Sequence, residues 1–355
     1  MNNFNTRISE LKGYGILLVV MGHAFVSSEQ GYSIRNFIYL FHLAIFYYAS
    51  GYLFKDKYSK EPINYLKRRI KSLYVPYVLY GSIFILFHNL CCKIGLYPIG
   101  LMYKKGELTQ HLFSLIKFNY FEALTGVFWF FKSLFVVCIA FEILAFLSNK
   151  FKSHYALALA VGGGATLSVI GIAGCYMEFP CNRTLANLAL MPVFMGGYCI
   201  NHMKLSIDIK WMNVLLPFCC LLILLLNSNY SVSINAQDIG SNPVIFYLCA
   251  ACGICLTLYV VDWTPKKLKG VFAYIGNNSF AIFIWHFLFF RLASYIIIVV
   301  NGLDIRLLSS HPVIHEANIL WAITYIIVGV GGSLLLGSLI HVVKTLVLSK
   351  QKIRL

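Results

Sequence analysis

Residues 11–54 read LKGYGILLVVMGHAFVSSEQGYSIRNFIYLFHLAIFYYASGYLF, and they give the clearest indication of the fold class. It contains two apolar runs joined by a short polar break, and each run is long enough for a helix to cross about 30 Å of hydrocarbon. Each run also carries one histidine, His23 in the first and His42 in the second. Ionisable side chains are costly inside a bilayer, so both histidines are candidates for a functional role.

The rest of the chain repeats this apolar pattern. Of its 355 residues, 59% are hydrophobic and only 12% are charged, and the mean hydropathy is +0.74. A soluble domain carries about 25% charged residues, so the composition excludes soluble, disordered, collagen-like and coiled-coil classes. We predict an all-α polytopic membrane protein of about ten transmembrane helices that forms one domain over residues 1–355. The predicted spans are 11–31, 34–54, 73–92, 126–148, 154–175, 183–203, 211–228, 243–262, 278–300 and 319–347.

The charge distribution predicts the orientation in the membrane. The net charge is +16, which in a soluble protein would suggest nucleic acid, but short cytoplasmic loops of membrane proteins also retain lysine and arginine. With a cytoplasmic N-terminus, 20 of the 29 lysines and arginines fall on the inner side and seven on the outer side. We therefore expect a multi-pass protein of the inner (cytoplasmic) membrane, with both termini inside and no nucleic-acid partner. No cleavage site follows the first apolar run, so we expect that run to be retained.

Cysteine and metal chemistry contribute little to the prediction. Most of the eleven cysteines lie within apolar runs, where cysteine behaves as a small hydrophobic residue. Only Cys175 and Cys181 flank a loop closely enough for a disulfide, and two free thiols are the alternative. No metal-ligand spacing, glycine-rich phosphate loop or hydrolase motif occurs, so we expect no metal.

The first hairpin predicts a site built from Lys12, His23 and His42. Lys12 and His23 are eleven residues apart, which places them on one helix face and about 16 Å apart along the axis. If the turn is symmetric about residues 32–33, His42 lies at nearly the same depth as His23. A desolvated neutral imidazole is suited to act as a general base. The structural alternative is that each histidine only bonds a backbone carbonyl or a tyrosine.

Residues 55–77, KDKYSKEPINYLKRRIKSLYVPY, carry seven cations and two acids. Arg68, Arg69 and Lys71 are candidates to bind a multiply phosphorylated ligand through charge-assisted bonds, and Lys12 enters the membrane at the same surface. The alternative is ordinary anchoring by positive charge on the cytoplasmic side.

Glu142 and Trp129 are weaker candidates in the fourth predicted span. The sequence offers Lys132, Arg291 or a histidine as partners for Glu142, either in a structural ion pair or in catalysis. Trp129 either lines a cavity or packs in the core.

The remaining histidines receive no predicted role. We expect His286 and Arg291 to lie on different faces of the ninth span, with Arg291 extending to the outer surface. His88 and His311 belong to a group that falls at span ends or in loops, where no special function is required.

Several stretches together resemble a known family. Residues 11–23 (LKGYGILLVVMGH), 37–55 (FIYLFHLAIFYYASGYLFK) and 65–77 (YLKRRIKSLYVPY) are similar to the opening of the membrane acyltransferase-3 family. The similarity is strongest to its branch of fucose 4-O-acetylase-like proteins, which modify bacterial surface polysaccharides. Residues 126–144 (GVFWFFKSLFVVCIAFEIL), 188–200 (LALMPVFMGGYCI) and 272–290 (FAYIGNNSFAIFIWHFLFF) agree in order and spacing.

The resemblance implies roles for residues of the first hairpin. Lys12 and His23 match the family's pairing of a basic residue with a histidine, and Phe41 and His42 match its phenylalanine-histidine element. Ala44 stands where the family usually has proline, which leaves the local helix geometry near His42 open.

The resemblance also implies a reaction. Arg68, Arg69 and Lys71 match the family's basic cytoplasmic element, which implies acyl-CoA, most simply acetyl-CoA, as the donor. The acceptor would be a sugar hydroxyl of a surface polysaccharide or lipid-linked glycan, with His23 as general base. A secondary transporter or a flippase of lipid-linked sugars is the alternative function. It should show inverted internal repeats, and the sequence has no such correspondence.

Overall fold

The computed structural model describes residues 3–25, 29–150, 153–177, 182–203, 215–315 and 318–352. Within these ranges the chain forms helices and connecting turns, and the only strand-like pairing is an isolated bridge between Ser233 and Asp238. The helices are α1 (Asn3–Ala24), α2 (Glu29–Tyr39), α3 (Ala44–Tyr52), α4 (Pro62–Arg69), α5 (Val75–Lys93), α6 (Glu107–Ile116), α7 (Trp129–Ser148), α8 (Ser153–Tyr176), α9 (Asn182–Leu185), α10 (Met191–His202), α11 (Leu215–Leu226), α12 (Pro243–Trp263), α13 (Lys266–Asn277), α14 (Ser279–Asn301) and α15 (Ile319–Lys352).

Six helical segments of the described chain are long and apolar enough to cross a membrane. This confirms the predicted class, an all-α membrane protein, whereas the count of ten spans and the side of each terminus stay predictions. The other four predicted spans contain α1, the pair α2 and α3, the pair α9 and α10, and the short α11. The six segments are Pro62–Lys93, Ala123–Ser148, Tyr155–Tyr176, Pro243–Trp263, Ser279–Asn301 and Ile319–Leu346.

The helix that contains the third predicted span, 73–92, begins at Pro62. Lys67, Arg68, Arg69 and Lys71 therefore lie in its first turns. The start of the span in the membrane stays a prediction. One π-helical turn, Ile70–Tyr74, joins α4 to α5. Pro76 has no N–H to donate to the carbonyl four residues earlier, and an irregular turn before proline is the usual accommodation.

The second predicted span is two helices rather than one. Residues 40–43 form a tightened turn in which the carbonyl of Ile38 accepts from the backbone N–H of both Phe41 and His42. The His42 side chain also bonds this carbonyl, so a local side-chain contact supports the turn ahead of Ala44.

The centre of the fold is α1, which contacts α2, α3, α12, α13, α14 and α15. Its closest neighbour is α13, because a Cβ on Gly13 or on Gly276 would collide with the backbone of the other helix. Small residues allow this close approach in membrane proteins, where backbone packing replaces much of the hydrophobic driving force. The contact fixes α1, and therefore both Lys12 and His23, relative to the rest of the bundle.

One sequence prediction falls outside the described residues. The structure describes Cys175, whose thiol lies 3.9 Å from the carbonyl oxygen of Ala186. Cys181 is outside the described ranges, so their disulfide stays a prediction.

Candidate active site

A cavity of about 400 Å³ lies where α1, the turn between α2 and α3, the start of α7, and α14 meet. We call it the histidine cavity. Residues 232–235, from the segment before α12, also line it. Its lining includes the side chains of His23, Tyr39, His42, Trp129, Phe287 and His311. One cation, Arg35, also lines it, and its guanidinium lies 4.7 Å from the centroid of the Tyr39 ring.

His23 contacts three aromatic side chains at one end of α1. Its ring centroid lies 5.7 Å from that of His286, in a stacked arrangement, and 4.8 Å from that of Phe287. The hydroxyl oxygen of Tyr39 lies 3.3 Å from His23 Nδ1. His23 is partly exposed and lines the cavity, so a bound molecule can reach its ring.

His42 and His286 share one geometry that fixes their tautomers. His42 Nδ1 lies 2.9 Å from the carbonyl oxygen of Ile38, and His286 Nδ1 lies 2.9 Å from that of Ile282. A carbonyl oxygen only accepts, so in both rings Nδ1 carries the hydrogen and Nε2 carries a lone pair. Tyr39 lies beside His42 with a centroid distance of 4.9 Å, so it connects His42 with His23. The structure therefore brings the two predicted histidines to one cavity.

Arg291 and His311 overturn two sequence expectations. Arg291 does not extend to the outer surface: only 2% of it is exposed, and its guanidinium donates to the carbonyls of Leu308 and Ser310. Its Nη2 also lies 3.2 Å from His311 Nδ1. His311, for which no role was expected, lines the histidine cavity.

Burial and the positive charge of Arg291 lower the pKa of the His311 imidazole to about 4. His311 is therefore neutral at physiological pH.

A second cavity, of about 260 Å³, contains Lys12 and Arg69, and we call it the basic cavity. Four apolar side chains line both cavities, so the two abut at these side chains. They are Val19, Leu43, Phe130 and Phe283.

Arg68 and Lys71 are not part of the basic cavity. Both are exposed, and Arg68 donates to the hydroxyl of Tyr58 over a distance of 3.1 Å. Neighbouring residues of a helix point about 100° apart, so only Arg69 of this pair can face the cavity.

Of the two weaker candidates, Trp129 lines the histidine cavity and Glu142 does not. Glu142 is 2% exposed, and neither of its carboxylate oxygens has a hydrogen-bond partner among the described residues. Two of its expected partners are engaged elsewhere, since Lys132 donates to Asn119 over 2.6 Å and Arg291 bonds the segment before α15.

His88 is a further residue whose environment the sequence did not indicate. Its Nδ1 lies 2.9 Å from Glu122 Oε2, and both side chains are almost fully buried. The backbone N–H of Glu122 donates to the hydroxyl of Thr125, which closes a short turn. This turn holds Ala123 and Gly126 at the cavity wall, so the His88–Glu122 pair supports one side of the site.

No three histidine, cysteine or acidic side chains in the described part of the chain form a group that could hold a metal ion. The three histidines that line the cavity have Tyr39, the carbonyl of Ile38 and Arg291 as partners.

A comparison with known protein families shows to which family the chain belongs. The model of the acyltransferase-3 family, described as an acyltransferase domain, matches residues 6–338, and the chain belongs to this family. No curated protein sequence and no solved structure matches the chain.

Proposed function

We propose that the protein is an O-acyltransferase, most simply an O-acetyltransferase, of the bacterial inner membrane. Its donor is cytoplasmic acyl-CoA, and its acceptor is a sugar hydroxyl of a surface polysaccharide or lipid-linked glycan. Both termini lie in the cytoplasm, in accord with the excess of lysine and arginine on that side.

The observation that carries this proposal is the pair of abutting cavities. The basic cavity contains Lys12 and Arg69, the histidine cavity contains three histidines and Arg35, and only apolar side chains are shared between them. An acyl-CoA has the matching order of groups, with phosphates at one end, a thin uncharged arm in the middle and a thioester at the other end. A small, uniformly polar substrate would not need this arrangement.

Lys12 and Arg69 bind the phosphates of the donor. Arginine and lysine form short, charge-assisted bonds with phosphate oxygens, and a partly buried site screens them less than open water does. Arg68 and Lys71 lie on the exposed surface of the same helical segment, where they extend the positive field toward the rest of the nucleotide.

The uncharged arm passes Val19, Leu43, Phe130 and Phe283 and delivers the thioester to the histidine cavity. Lys12 and His23 are about 16 Å apart along α1, so the donor must be bound in an extended form. Such binding holds the carbonyl carbon beside the acceptor hydroxyl, and this orientation contributes a large share of the rate.

The transfer is a direct displacement at the carbonyl carbon. The acceptor oxygen attacks that carbon as His23 removes the hydroxyl proton, and a tetrahedral intermediate forms. The C–S bond then breaks, the proton passes from His23 to the leaving sulfur, and the products are the acyl ester and free CoA. His42 orients or assists His23, since its own Nε2 is kept free of hydrogen by the bond to Ile38. Positioned acid–base catalysis of this type contributes about 10²–10⁴-fold.

The proposal is tested with purified protein in nanodiscs, labelled acetyl-CoA and membrane glycan from a strain that lacks other acetylases. We expect wild-type protein to transfer label to the glycan, with a mass gain of one acetyl group. His23→Ala should lower the rate about 10²–10⁴-fold. His341→Ala, a change at an exposed histidine of α15, is the matched control and should retain full activity.

Full activity of a folded His23→Ala protein would contradict the role of His23. Translocation of a lipid-linked sugar by wild-type protein, without any acyl gain, would support the flippase alternative instead.

A further inference from the structure

Arg291 and His311 form a hydrogen-bonded pair at the wall of the histidine cavity. Arg291 is 2% exposed, and its guanidinium is held by two carbonyls of the segment before α15, those of Leu308 and Ser310. The same guanidinium presents Nη2 to His311 Nδ1 at 3.2 Å. Two backbone carbonyls therefore hold the guanidinium of Arg291 in place, independently of its contact with His311.

This contact determines the tautomer of His311. A guanidinium has only donors, so His311 Nδ1 must accept, and the hydrogen of the neutral ring is on Nε2. His42 and His286 have the opposite assignment, because their Nδ1 atoms donate to carbonyls. His311 is thus fixed as a hydrogen-bond donor at the cavity, whereas His42 and His286 are fixed as acceptors.

The donor nitrogen of His311 lies close to the backbone of Gly126. His311 Nε2 is 4.0 Å from the position that a Cβ on Gly126 would occupy, and Phe287 and the carbonyl oxygen of Ala123 lie nearer to that position. The ring of Phe287 contacts both histidines, with centroid distances of 5.0 Å to His311 and 4.8 Å to His23. His23 and His311 line the same cavity, so one bound molecule can contact both.

We propose that His311 Nε2–H donates a hydrogen bond to the carbonyl oxygen of the thioester, with Arg291 as the positioning residue. This inference rests on the proposed function. As the acceptor oxygen attacks, the C=O electron pair moves onto the carbonyl oxygen, and the Nε2–H bond stabilises that negative charge. When the C–S bond breaks the pair returns, and His311 keeps its proton throughout. A fixed donor needs no reorganisation during the reaction, which is why such groups have large effects on rate.

The first test compares His311→Gln with His311→Ala in the acetyl-transfer assay. The glutamine amide retains an N–H donor near the position of Nε2, and alanine removes it. We expect His311→Ala to lower kcat about 10²–10³-fold with little change in either KM, and His311→Gln to recover a large part of that loss. Because the base is a different residue, the pH at half-maximal rate should stay unchanged in both variants.

Equal losses in the two variants, or wild-type kcat in His311→Ala, would overturn the inference. These outcomes are separate from failure of the proposed function, which would appear as absence of acetyl transfer by the wild-type protein.

The second test observes the tautomer directly by ¹⁵N NMR of histidine-labelled protein in nanodiscs. The His311 signals are assigned by their absence in His311→Gln. We expect a protonated Nε2 and an unprotonated Nδ1 in wild-type protein, a mixture of both tautomers in Arg291→Met, and retention of the wild-type pattern in Arg291→Lys. A protonated Nδ1 in wild-type protein would contradict the assignment.

Discussion

The two cavities differ in how their polar groups are held. In the histidine cavity, His42 is fixed by a backbone carbonyl and His311 by a buried arginine. In the basic cavity, the guanidinium of Arg69 lies over the ring of Tyr65, 4.9 Å from its centroid, and interacts with the thiol of Cys138. The difference indicates that hydrogen bonds fix the direction of the histidine nitrogens, whereas ring and thiol contacts hold Arg69 and leave guanidinium donors for an anion.

The largest effect that we expect to distinguish the basic cavity from the histidine cavity is on the binding of acetyl-CoA. Arg69→Gln removes a charged donor from the basic cavity without touching the histidine cavity. Since hydrogen bonds to charged groups contribute about 1.5–3 kcal/mol, we expect KM for acetyl-CoA to rise on the order of 10–100-fold. The acetyl-transfer assay with varied donor measures this change.

A short acetyl thioester without a nucleotide is the control for Arg69→Gln. It cannot contact the basic cavity, so its turnover should be equal in variant and wild-type protein. Lys105→Gln, which removes an exposed cation between α5 and α6, should leave KM for acetyl-CoA unchanged. A similar loss with the short thioester would indicate that Arg69 supports the fold rather than the donor.

The sequence was sufficient for the parts of this comparison that depend on hydropathy and helical periodicity. Lys12 and His23 fall on one helix face by spacing alone, and the structure places each in a cavity beside α1. The sequence did not distinguish Arg68 from Arg69, because adjacent residues have the same local composition. Only the orientation of the helix that begins at Pro62 shows which of the two side chains faces the basic cavity.

His311 and Arg291 could not be assigned from the sequence for a different reason. Arg291 is buried because carbonyls of a distant, irregular segment accept its hydrogen bonds, and hydropathy carries no signal for such partners. His311 reaches the cavity through the path of that same segment. His286 differs from these two residues, because it lies in a stretch that resembles the family. That resemblance was an indication in the sequence that this part of α14 contributes to the site.

A smaller effect is expected where the two cavities meet. Leu43 lines both cavities, so Leu43→Ala enlarges the space on either side of it, and longer acyl chains should be accepted more readily. We expect the ratio of kcat/KM for butyryl-CoA over acetyl-CoA to rise about tenfold, the scale of one or two methylene groups in an apolar pocket. Competition between the two donors gives this ratio directly.

Leu40→Ala is the matched control for this change. Leu40 lies in the same turn, is 1% exposed and lines neither cavity, so its loss removes the same atoms from the core. The donor ratio should stay at the wild-type value. A rise of the donor ratio in both variants would show that looser packing of the core, and not the space lined by Leu43, causes the effect.

The smallest expected effect concerns Tyr39. Tyr39→Phe removes the hydroxyl that lies 3.3 Å from His23 Nδ1 and retains the ring beside His42. Loss of one neutral hydrogen bond corresponds to about 1 kcal/mol, so kcat should fall only several-fold, with both KM values unchanged. A fall as large as that of His23→Ala would show that the hydroxyl itself takes part in proton transfer.

The most direct test of the account is a structure of the protein with a thioether analogue of acetyl-CoA, determined by cryo-electron microscopy in nanodiscs. We expect phosphates beside Lys12 and Arg69, the arm between Leu43 and Phe130, and the acyl carbonyl in the histidine cavity. An analogue bound with its acyl group outside that cavity, or with its arm on another path, would contradict it.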